Sequence, residues 1–267
     1  MYSRVPYYRV CQGQWIFPVH SYAAARPIAK RFGMPTLQWV SMALLIAYAD
    51  VLALTSATEK KLKVLCLHGY AQNAEIFRDR SGGFRKPLRK NMYEMHYVDG
   101  LFGCTKDGED EAEADADPLR RAWWRGSSAE LSYKGWDESH QLLTQLWLRE
   151  GFDGVIGFSQ GAAAAAMLCA EWKPMFGMFV SGFVPRDRHA AAALLAGVRD
   201  VPTLHVFGES DELVTPERSR ALADLFDGAS VIVHEGGHMI PSSAHVRTQV
   251  FSFLDSVTPS LLDPLKC

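Results

Sequence analysis

The segment 154–161 constrains the fold most, because an apolar run there ends in Gly-x-Ser-x-Gly and continues into alanines. Val155 and Ile156, which are β-branched, precede Ser159 and favour a strand, whereas the alanines at 162–166 favour a helix. The pattern predicts a strand, a tight turn that carries a serine, and a helix. A serine on such a corner is a candidate nucleophile. The alternative is a serine that caps a buried helix.

From residue 63 onward, predicted strands and helices alternate along the chain. Strand patterns occur at 63–67, 94–98, 154–156, 178–181, 203–207 and 230–234. Helical patterns occur at 134–149, 160–171, 188–195, 216–226 and 243–254. Such alternation is typical of βαβ units, so we expect an α/β fold with a mostly parallel sheet and helices on both faces. Ligands bind at the carboxyl ends of the strands in such sheets.

The composition favours one catalytic domain. Hydrophobic residues make up 48% of the 267 residues, enough for a single large core. A formal net charge of -2 gives no reason to expect nucleic acid as a partner. The five cysteines are scattered and never spaced as Cys-x-x-Cys. This spacing argues against a disulfide framework or zinc knuckle and favours a reducing, cytoplasmic compartment.

The first 60 residues differ in composition from the rest of the chain. No Asp or Glu occurs before Asp50, and residues 37–54 are apolar over almost the length of a membrane span. Three interpretations stay open: an organelle presequence, a membrane anchor or signal-like segment, and an appended segment without a role in the fold. We expect any membrane contact to involve only residues 37–54.

These features predict three parts: an extension at 1–60, a catalytic domain at 61–257 and a C-terminal tail at 258–267. Within the domain, residues 107–117 include seven acidic side chains and no large apolar one. Such a run cannot bury enough apolar area to offset its ordering cost, so it is predicted to be a solvated loop.

A nucleophilic serine needs a histidine that takes its proton and a carboxylate that orients the histidine. In hydrolases of this architecture they follow the serine in the order acid, then histidine. Asp211 leaves the predicted strand 203–207, and His238 leaves the predicted strand 230–234. Ser159, Asp211 and His238 are therefore the predicted catalytic residues.

Other roles for these side chains stay open. Glu209 and Glu212 are alternatives for the acid, but Glu209 lies close to the strand and Glu212 opens toward the next helix. Asp211 has a second interpretation as a helix cap, and His238 as a surface histidine.

Acyl transfer also needs N–H donors for the developing oxyanion. Gln160 supplies the amide that follows the nucleophile. The other is expected in the segment 67–73, where Gly69 lets the backbone turn and Tyr70 is the predicted donor. His68 precedes the serine, so we interpret it as a residue that fixes this loop by hydrogen bonds.

Residues 234–238 read His-Glu-Gly-Gly-His, which is formally the zinc protease pattern. That motif works on a helix, where its two histidines share a face. Here a β-branched run precedes it and two glycines occupy its middle. We therefore predict no metal site, and the predicted chemistry needs no cofactor.

Several motifs in order resemble the FSH family of α/β serine hydrolases, most closely its branch of animal ovarian-cancer-associated esterases. The resemblance extends from about residue 63 to 255. It rests on Leu-His-Gly-Tyr at 67–70, Trp-Trp at 123–124, Gly-Phe-Ser-Gln-Gly at 157–161, Ser-Gly-Phe at 181–183, His-Val-Phe-Gly at 205–208 and Gly-Gly-His at 236–238. Residues 1–60 and the acidic run depart from the family pattern.

The resemblance implies an α/β-hydrolase fold and a triad of Ser159, Asp211 and His238. It also implies hydrolysis of carboxylic esters, with a preference for alkyl-chain acyl esters, and a cytoplasmic and nuclear location. Fungal members include acyl thioesterases, so a thioester substrate stays open. A silent binding module on the same fold is a further alternative.

Aromatic and aliphatic residues near the expected carboxyl edge of the sheet are candidates to line an acyl pocket. For each of them, ordinary packing beneath a loop is an alternative with the same weight as a role in the pocket. These candidates are Trp123, Trp124, Phe183, Met239 and Ile240.

Overall fold

The computed structural model describes residues 61–90, 93–104, 117–126, 131–198 and 200–258. The predicted extension, most of the acidic run and all but the first residue of the predicted tail lie outside these residues. Among the helices that are described, none has the length and apolar character needed to cross a membrane. The apolar stretch 37–54 lies outside the described residues as well.

A parallel sheet forms the centre of the described structure. The strands in chain order are β1 (Leu62–Leu67), β2 (Tyr93–Val98), β3 (Phe102–Cys104), β4 (Asp117–Ala122), β5 (Gly154–Phe158), β6 (Phe176–Val180), β7 (Thr203–Gly208) and β8 (Ser230–His234). Within the described residues, six of them pair in the order β2-β1-β5-β6-β7-β8, all parallel. β3 and β4 form a separate antiparallel pair.

Helices cover both faces of this sheet. They are α1 (Ala74–Arg80), α2 (Gly82–Lys90), α3 (Trp136–Glu150), α4 (Gln160–Trp172), α5 (Ala192–Leu195), α6 (Pro216–Ala223) and α7 (Ala244–Val257). One core contains side chains of α3, α4, α5 and α6, and the other contains side chains of α1, α2 and α7. Alternate residues of a strand enter opposite cores, as Leu65 and Val64 of β1 show. The predicted α/β fold with a mostly parallel sheet is therefore confirmed.

The strand order changes direction beside β1. The chain moves from β1 to β2 on one side and later returns to β5 on the other side. The carboxyl ends of β1 and β5 consequently flank the crevice in which α/β sheets bind ligands. Residues 68–70 leave β1 at this point, and Ser159 leaves β5.

The sequence did not predict α1, α2 or the β3–β4 pair. α2 contains Gly82, Gly83 and Pro87, which have poor helix propensity, but Phe84 and Leu88 on it are buried in the core. Burial of these two side chains accounts for a helix that local propensity disfavours. β3 and β4 lie on either side of the acidic run, and the last residue of that run, Asp117, begins β4. The acidic composition favours a loop and gives no strand signal there.

Two predicted helices are shorter than expected. α5 begins at Ala192 rather than at residue 188. Residues 188–191 form a turn, in which the Asp187 carboxylate accepts N–H bonds from His189 and Ala190 at 2.9 and 3.0 Å. α6 ends at Ala223 rather than at residue 226. Phe226 pairs instead with Val198 in an isolated bridge.

Candidate active site

Ser159 lies on a sharp corner between β5 and α4. Its backbone has φ 53° and ψ -117°, a conformation that L residues rarely adopt. A hydrogen bond of 2.9 Å from Ser159 N–H to the carbonyl of Val180 holds the corner against β6. A side chain at Gly161 would collide with the carbonyl oxygens of Leu67 and His68, so the glycine allows α4 to approach the end of β1.

The structure brings Ser159, His238 and Asp211 into one chain of hydrogen bonds. His238 Nε2 is 3.0 Å from Ser159 Oγ, and His238 Nδ1 is 2.8 Å from Asp211 Oδ2. With Nδ1 protonated, the ring donates to the carboxylate and accepts the serine proton at Nε2. The ring of Phe158 lies 5.0 Å from the His238 ring and packs beside it. This geometry suits proton transfer from serine to histidine.

Asp211 is held by its own loop. Its side chain is fully buried, and its second oxygen, Oδ1, accepts backbone N–H bonds from Leu213 and Val214 at 3.1 and 2.9 Å. Burial alone would raise the pKa of the carboxyl group. Hydrogen bonds from Val214 and His238 outweigh burial, so the pKa of Asp211 is below its ordinary value. The residue is thus a carboxylate at neutral pH and also caps this turn.

The acid loop and the histidine loop are joined through their backbones. Glu209 N–H donates to the carbonyl of His234 at 2.8 Å, and Ser210 N–H donates to the carbonyl of Gly236 at 3.2 Å. Gly208 lies so close to Gly236 that a side chain there would strike its carbonyl oxygen. These contacts fix the separation between the carboxylate and the imidazole.

The two residues predicted to supply the oxyanion amides, Tyr70 and Gln160, follow adjacent strands next to Ser159. Gln160 is the first residue of α4, where amides have no partner within the helix. Tyr70 follows β1, and the neighbouring Gly69 lies close to the Cβ atom of Ser159. The turn is closed by a hydrogen bond of 3.2 Å from Gln72 N–H to the carbonyl of Gly69.

His68 fixes the loop after β1, as its position predicted. Its Nδ1 lies 2.7 Å from the carbonyl of Gly69, and its Nε2 accepts the N–H of Gly100 at 2.9 Å. Burial lowers the pKa of His68 to about 4. A neutral ring donates at Nδ1 and accepts at Nε2, which matches these two bonds.

Trp123 and Trp124 are not on the groove beside Ser159, in contrast to the prediction for an acyl pocket. Trp123 is fully buried and donates its indole N–H to the carbonyl of His68 at 2.8 Å. Trp124 is 4% exposed and stacks on Tyr133 at 4.5 Å between ring centroids. Both indoles are therefore part of the core and do not line the groove.

The other pocket candidates divide. Phe183 lines the groove that contains Ser159 and His238. Ile240 is 8% exposed and belongs to the core under α7, so the prediction that it lines the pocket is wrong and it is a packing residue. Met239 is 47% exposed and does not line this groove.

Sequence reasoning missed the side chain of Gln160. Its Oε1 accepts the N–H of Trp123 at 2.9 Å, and its Nε2 donates to the carbonyl of Trp124 at 3.0 Å. A buried amide thereby ties the residue after the serine to the segment after β4. The partners are 37 and 36 positions away, so no local pattern signals them.

The groove beside Ser159 has a volume of about 930 Å³. One wall comes from the loop after β1, from α1 and from β4, and the other comes from the loops after β6 and β7. The lining residues are Tyr70, Ala71, Gln72, Ile76, Arg80, Leu119, Arg120, Phe158, Ser159, Phe183, Leu213, Val214, Arg218 and His238.

The zinc interpretation does not fit this site. Residues 235–239 form bends rather than a helix, and His238 faces the serine and the aspartate. His234 Nδ1 accepts the N–H of Gly236 at 3.1 Å. The two histidines therefore do not share a helical face, which that motif requires.

Comparison with known proteins gives the family. The family model "Serine hydrolase (FSH1)" matches residues 57–250. An esterase of Anopheles gambiae is 36% identical over 229 residues, 78% of this chain and 82% of that protein. Esterase OVCA2 of Homo sapiens is 34% identical over 222 residues, 74% of this chain and 98% of that protein.

A solved structure supports the fold alone. The crystal structure of Arabidopsis thaliana SOBER1 aligns with a TM-score of 0.54 and 17% identity, over 74% of this chain and 99% of that one. The α/β-hydrolase fold is thus confirmed. With the family model and the two esterases, the conclusion is that the chain belongs to the FSH1 family of serine hydrolases.

Proposed function

We propose that the protein hydrolyses carboxylic esters through a triad of Ser159, His238 and Asp211. The observation that carries this proposal is the unbroken chain of hydrogen bonds, 3.0 and 2.8 Å, from the serine hydroxyl to the buried carboxylate. Membership in a serine hydrolase family and similarity to proteins named as esterases support it.

The first half of the reaction acylates Ser159. As Oγ attacks the ester carbonyl, His238 Nε2 takes the hydroxyl proton, and Asp211 stabilises the imidazolium ion that forms. Collapse of the tetrahedral intermediate breaks the bond to the alcohol oxygen, and His238 returns the proton to that oxygen. The alcohol leaves, and an acyl-serine remains.

The amides of Tyr70 and Gln160 are proposed to bind the oxyanion. They belong to segments after adjacent strands, β1 and β5, which approach closely at Gly161. The hydrogen bond of His68 to the carbonyl of Gly69 fixes the first of these segments. Donors fixed before the reaction stabilise the developing charge without reorganisation, and each is worth about 2.7 to 4 kcal/mol of barrier.

The second half releases the acid. Water attacks the acyl carbon while His238 Nε2 takes one of its protons. The bond between the acyl carbon and Ser159 Oγ then breaks, and the same proton passes to Oγ. The products are a carboxylic acid, which ionises, and the regenerated enzyme. This cycle requires no cofactor.

An alkyl acyl chain is the proposed occupant of the apolar part of the groove. Leu119 and Leu213 line it and are 65% and 70% exposed, and Phe183 and Ile76 lie beside them. Exposed apolar side chains beside a reactive serine favour an aliphatic group over a polar one.

A fluorophosphonate probe tests the nucleophile. We expect the folded wild type to be labelled and Ser159→Ala to be unlabelled, with the same melting temperature in both. Ser210→Ala, which removes another serine from the same edge of the sheet, is the matched control and should stay labelled. Absence of labelling in folded wild type would instead indicate a silent binding module.

Paired substrates distinguish ester from thioester hydrolysis. The same acyl groups, of increasing chain length, are offered as p-nitrophenyl esters and as thioesters of a simple thiol. We expect turnover of the esters to rise with chain length. If thioesters are cleaved and esters are not, the triad proposal survives but the substrate proposal changes to an acyl thioesterase.

A further inference from the structure

Positive charge is concentrated in the groove beside Ser159. Arg80, Arg120 and Arg218 line it, and among the described residues no carboxylate does. The whole chain has a formal net charge of -2. The arginines at this site are therefore a local feature and do not follow from an excess of basic residues.

Arg218 is held in a fixed position on the groove. One of its terminal nitrogens, Nη1, donates to the carbonyl of Leu213 at 2.9 Å, and its guanidinium carbon lies 4.9 Å from the centroid of the Phe183 ring. A guanidinium carries five N–H donors in a planar fork. The hydrogen bond to Leu213 uses one of them, and no carboxylate of the described residues forms an ion pair with Arg218.

The surroundings of Arg218 disfavour an isolated cation. Partial burial, and then the positive charge of Arg186, lower the pKa of Arg218. The charge of Asp211 acts in the opposite sense, but its oxygens are already bonded to His238 and to backbone amides. An anion bound in the groove would offset both the cost of burying the Arg218 charge and its repulsion by Arg186.

Apolar side chains adjoin these cations. Leu213, whose carbonyl holds Arg218, is itself 70% exposed on the groove, and Leu119 on the facing wall is 65% exposed. The groove therefore presents an aliphatic surface and a guanidinium next to each other, beside Ser159.

We propose that the substrate is a carboxylic ester that bears an anionic group in addition to its alkyl chain, and that Arg218 binds this anion. The inference rests on the proposed esterase function and narrows its substrate class. A carboxylate and a phosphate share the required chemistry, because both accept two parallel N–H bonds from one guanidinium.

Two pairs of matched esters test the proposal and locate the charge. In the first pair the acyl chain ends in a carboxylate or in the isosteric isopropyl group, with p-nitrophenol as leaving group. In the second pair one alkyl acid is esterified to p-hydroxybenzoate or to p-hydroxybenzamide. We expect kcat/KM for the charged member of at least one pair to exceed that of its neutral partner by about tenfold.

Variants show whether Arg218 causes the preference. Arg218→Gln should lower the charged-to-neutral ratio of kcat/KM to near unity, and Arg218→Lys should restore part of it because the charge returns without the fork. Arg149→Gln is the matched control, because it removes an arginine that is 70% exposed at the end of α3, which leads into the amino end of β5, whereas the groove lies at the carboxyl ends of the strands. The ratio should also fall as salt concentration rises.

The results separate the inference from the function on which it rests. If neutral esters are cleaved, two outcomes would overturn the anion proposal. One is a kcat/KM for the charged esters that is equal to or lower than that of their neutral partners in both pairs, and the other is an unchanged charged-to-neutral ratio in Arg218→Gln. Failure of labelled wild type to cleave any of the four esters would refute the esterase proposal instead. Melting temperature and fluorophosphonate labelling verify that each variant is folded.

Discussion

At the scale of single residues, some side chains of the site both stabilise the local backbone and position a second residue. Asp211 caps its own turn through Leu213 and Val214 and also orients His238. The two interpretations that sequence offered for Asp211, a cap and a catalytic acid, are therefore compatible. Gln160 likewise occupies the first position of α4 and bonds to the tryptophan segment.

Replacing Asp211 by asparagine tests its proposed role in orienting His238. The asparagine amide can donate to the ring, which favours the wrong histidine tautomer, so we expect kcat/KM to fall by about 10³ to 10⁴. Steady-state kinetics with a p-nitrophenyl ester measure the loss. Glu209→Gln, an exposed carboxylate on the same loop, should retain activity. If the two variants are equally active, Asp211 is not the acid.

The side chain of Gln160 can be tested separately from its amide. Gln160→Ala leaves the buried N–H of Trp123 and carbonyl of Trp124 unpaired, and each costs about 1 to 3 kcal/mol in free energy of unfolding. Urea denaturation measures that loss. A variant as stable as wild type would show that water or a rearranged chain replaces both bonds.

At the scale of elements, the loops after β1, β5, β7 and β8 carry the site, and the close approach of backbones positions them. Gly161 lets α4 meet the end of β1, and Gly208 lets the acid loop meet the histidine loop. These contacts join segments distant in sequence. The strands also bury histidines, among them His205 on β7.

Gly161→Ala tests the contact between α4 and β1. Its Cβ atom would strike the carbonyls of Leu67 and His68, which are backbone and cannot rotate away. We expect loss of esterase activity and a destabilisation above about 3 kcal/mol. Gly151→Ala, with φ 65° and open space around its Cβ position, should cost only about 1 to 2 kcal/mol and remain active. Similar losses in the two variants would contradict the packing argument.

Burial of His205 predicts an acid-sensitive sheet. Burial lowers its folded-state pKa from 6.5 to about 3, so between these values the unfolded chain binds a proton that the folded chain excludes. The contribution of His205 to the free energy of unfolding is therefore complete above pH 6.5. It falls as the pH is lowered, by about 1.4 kcal/mol per pH unit for one histidine. His68 should contribute in the same direction down to about pH 4.

Urea denaturation of His205→Phe at several pH values between about 4 and 7 measures this contribution. The phenyl ring retains an aromatic partner for Phe179 and Phe226 but does not titrate. We expect a shallower pH dependence in this variant and the wild-type dependence in His245→Gln, which removes an exposed histidine. An unchanged slope in His205→Phe would refute the argument.

At the scale of the whole molecule, the sequence predicted the sheet because buried parallel strands are continuous apolar runs with polar loops after them. Ser159 and Asp211 each follow such a run, and His238 follows the apolar residues 231–233 of the partly exposed β8, so their meeting could be anticipated. The burial of Trp123 could not be anticipated from the sequence. It depends on hydrogen bonds to Gln160 and His68, which lie 37 and 55 positions away. The grouping of Arg80 and Arg218 on one groove depends on tertiary structure in the same way.

The predicted domain boundary near residue 60 can be tested by deletion. The proposed triad and oxyanion amides all lie within the described residues, which begin at 61. A chain that starts at Thr58 should therefore keep kcat/KM within about threefold of the full-length protein, a change below 1 kcal/mol. Fractionation of cells that express either form tests the roles left open for residues 1–60. A truncated chain that folds but has no activity would place part of the site in the extension.

The position of β8 predicts that the site and the rest of the fold differ in their resistance to heat. Among the strands that the structure describes, β8 is the outermost on its side of the sheet. Val231 and Val233 on it are 40% and 39% exposed, and His238 lies in the loop that follows it. Ser159, in contrast, follows a fully buried strand. Outer segments open before the interior does. On warming, we therefore expect His238, the proposed base, to be displaced while Ser159 and most of the fold persist. Activity should then fall reversibly below the melting temperature, which assays at rising temperature and again after cooling would show.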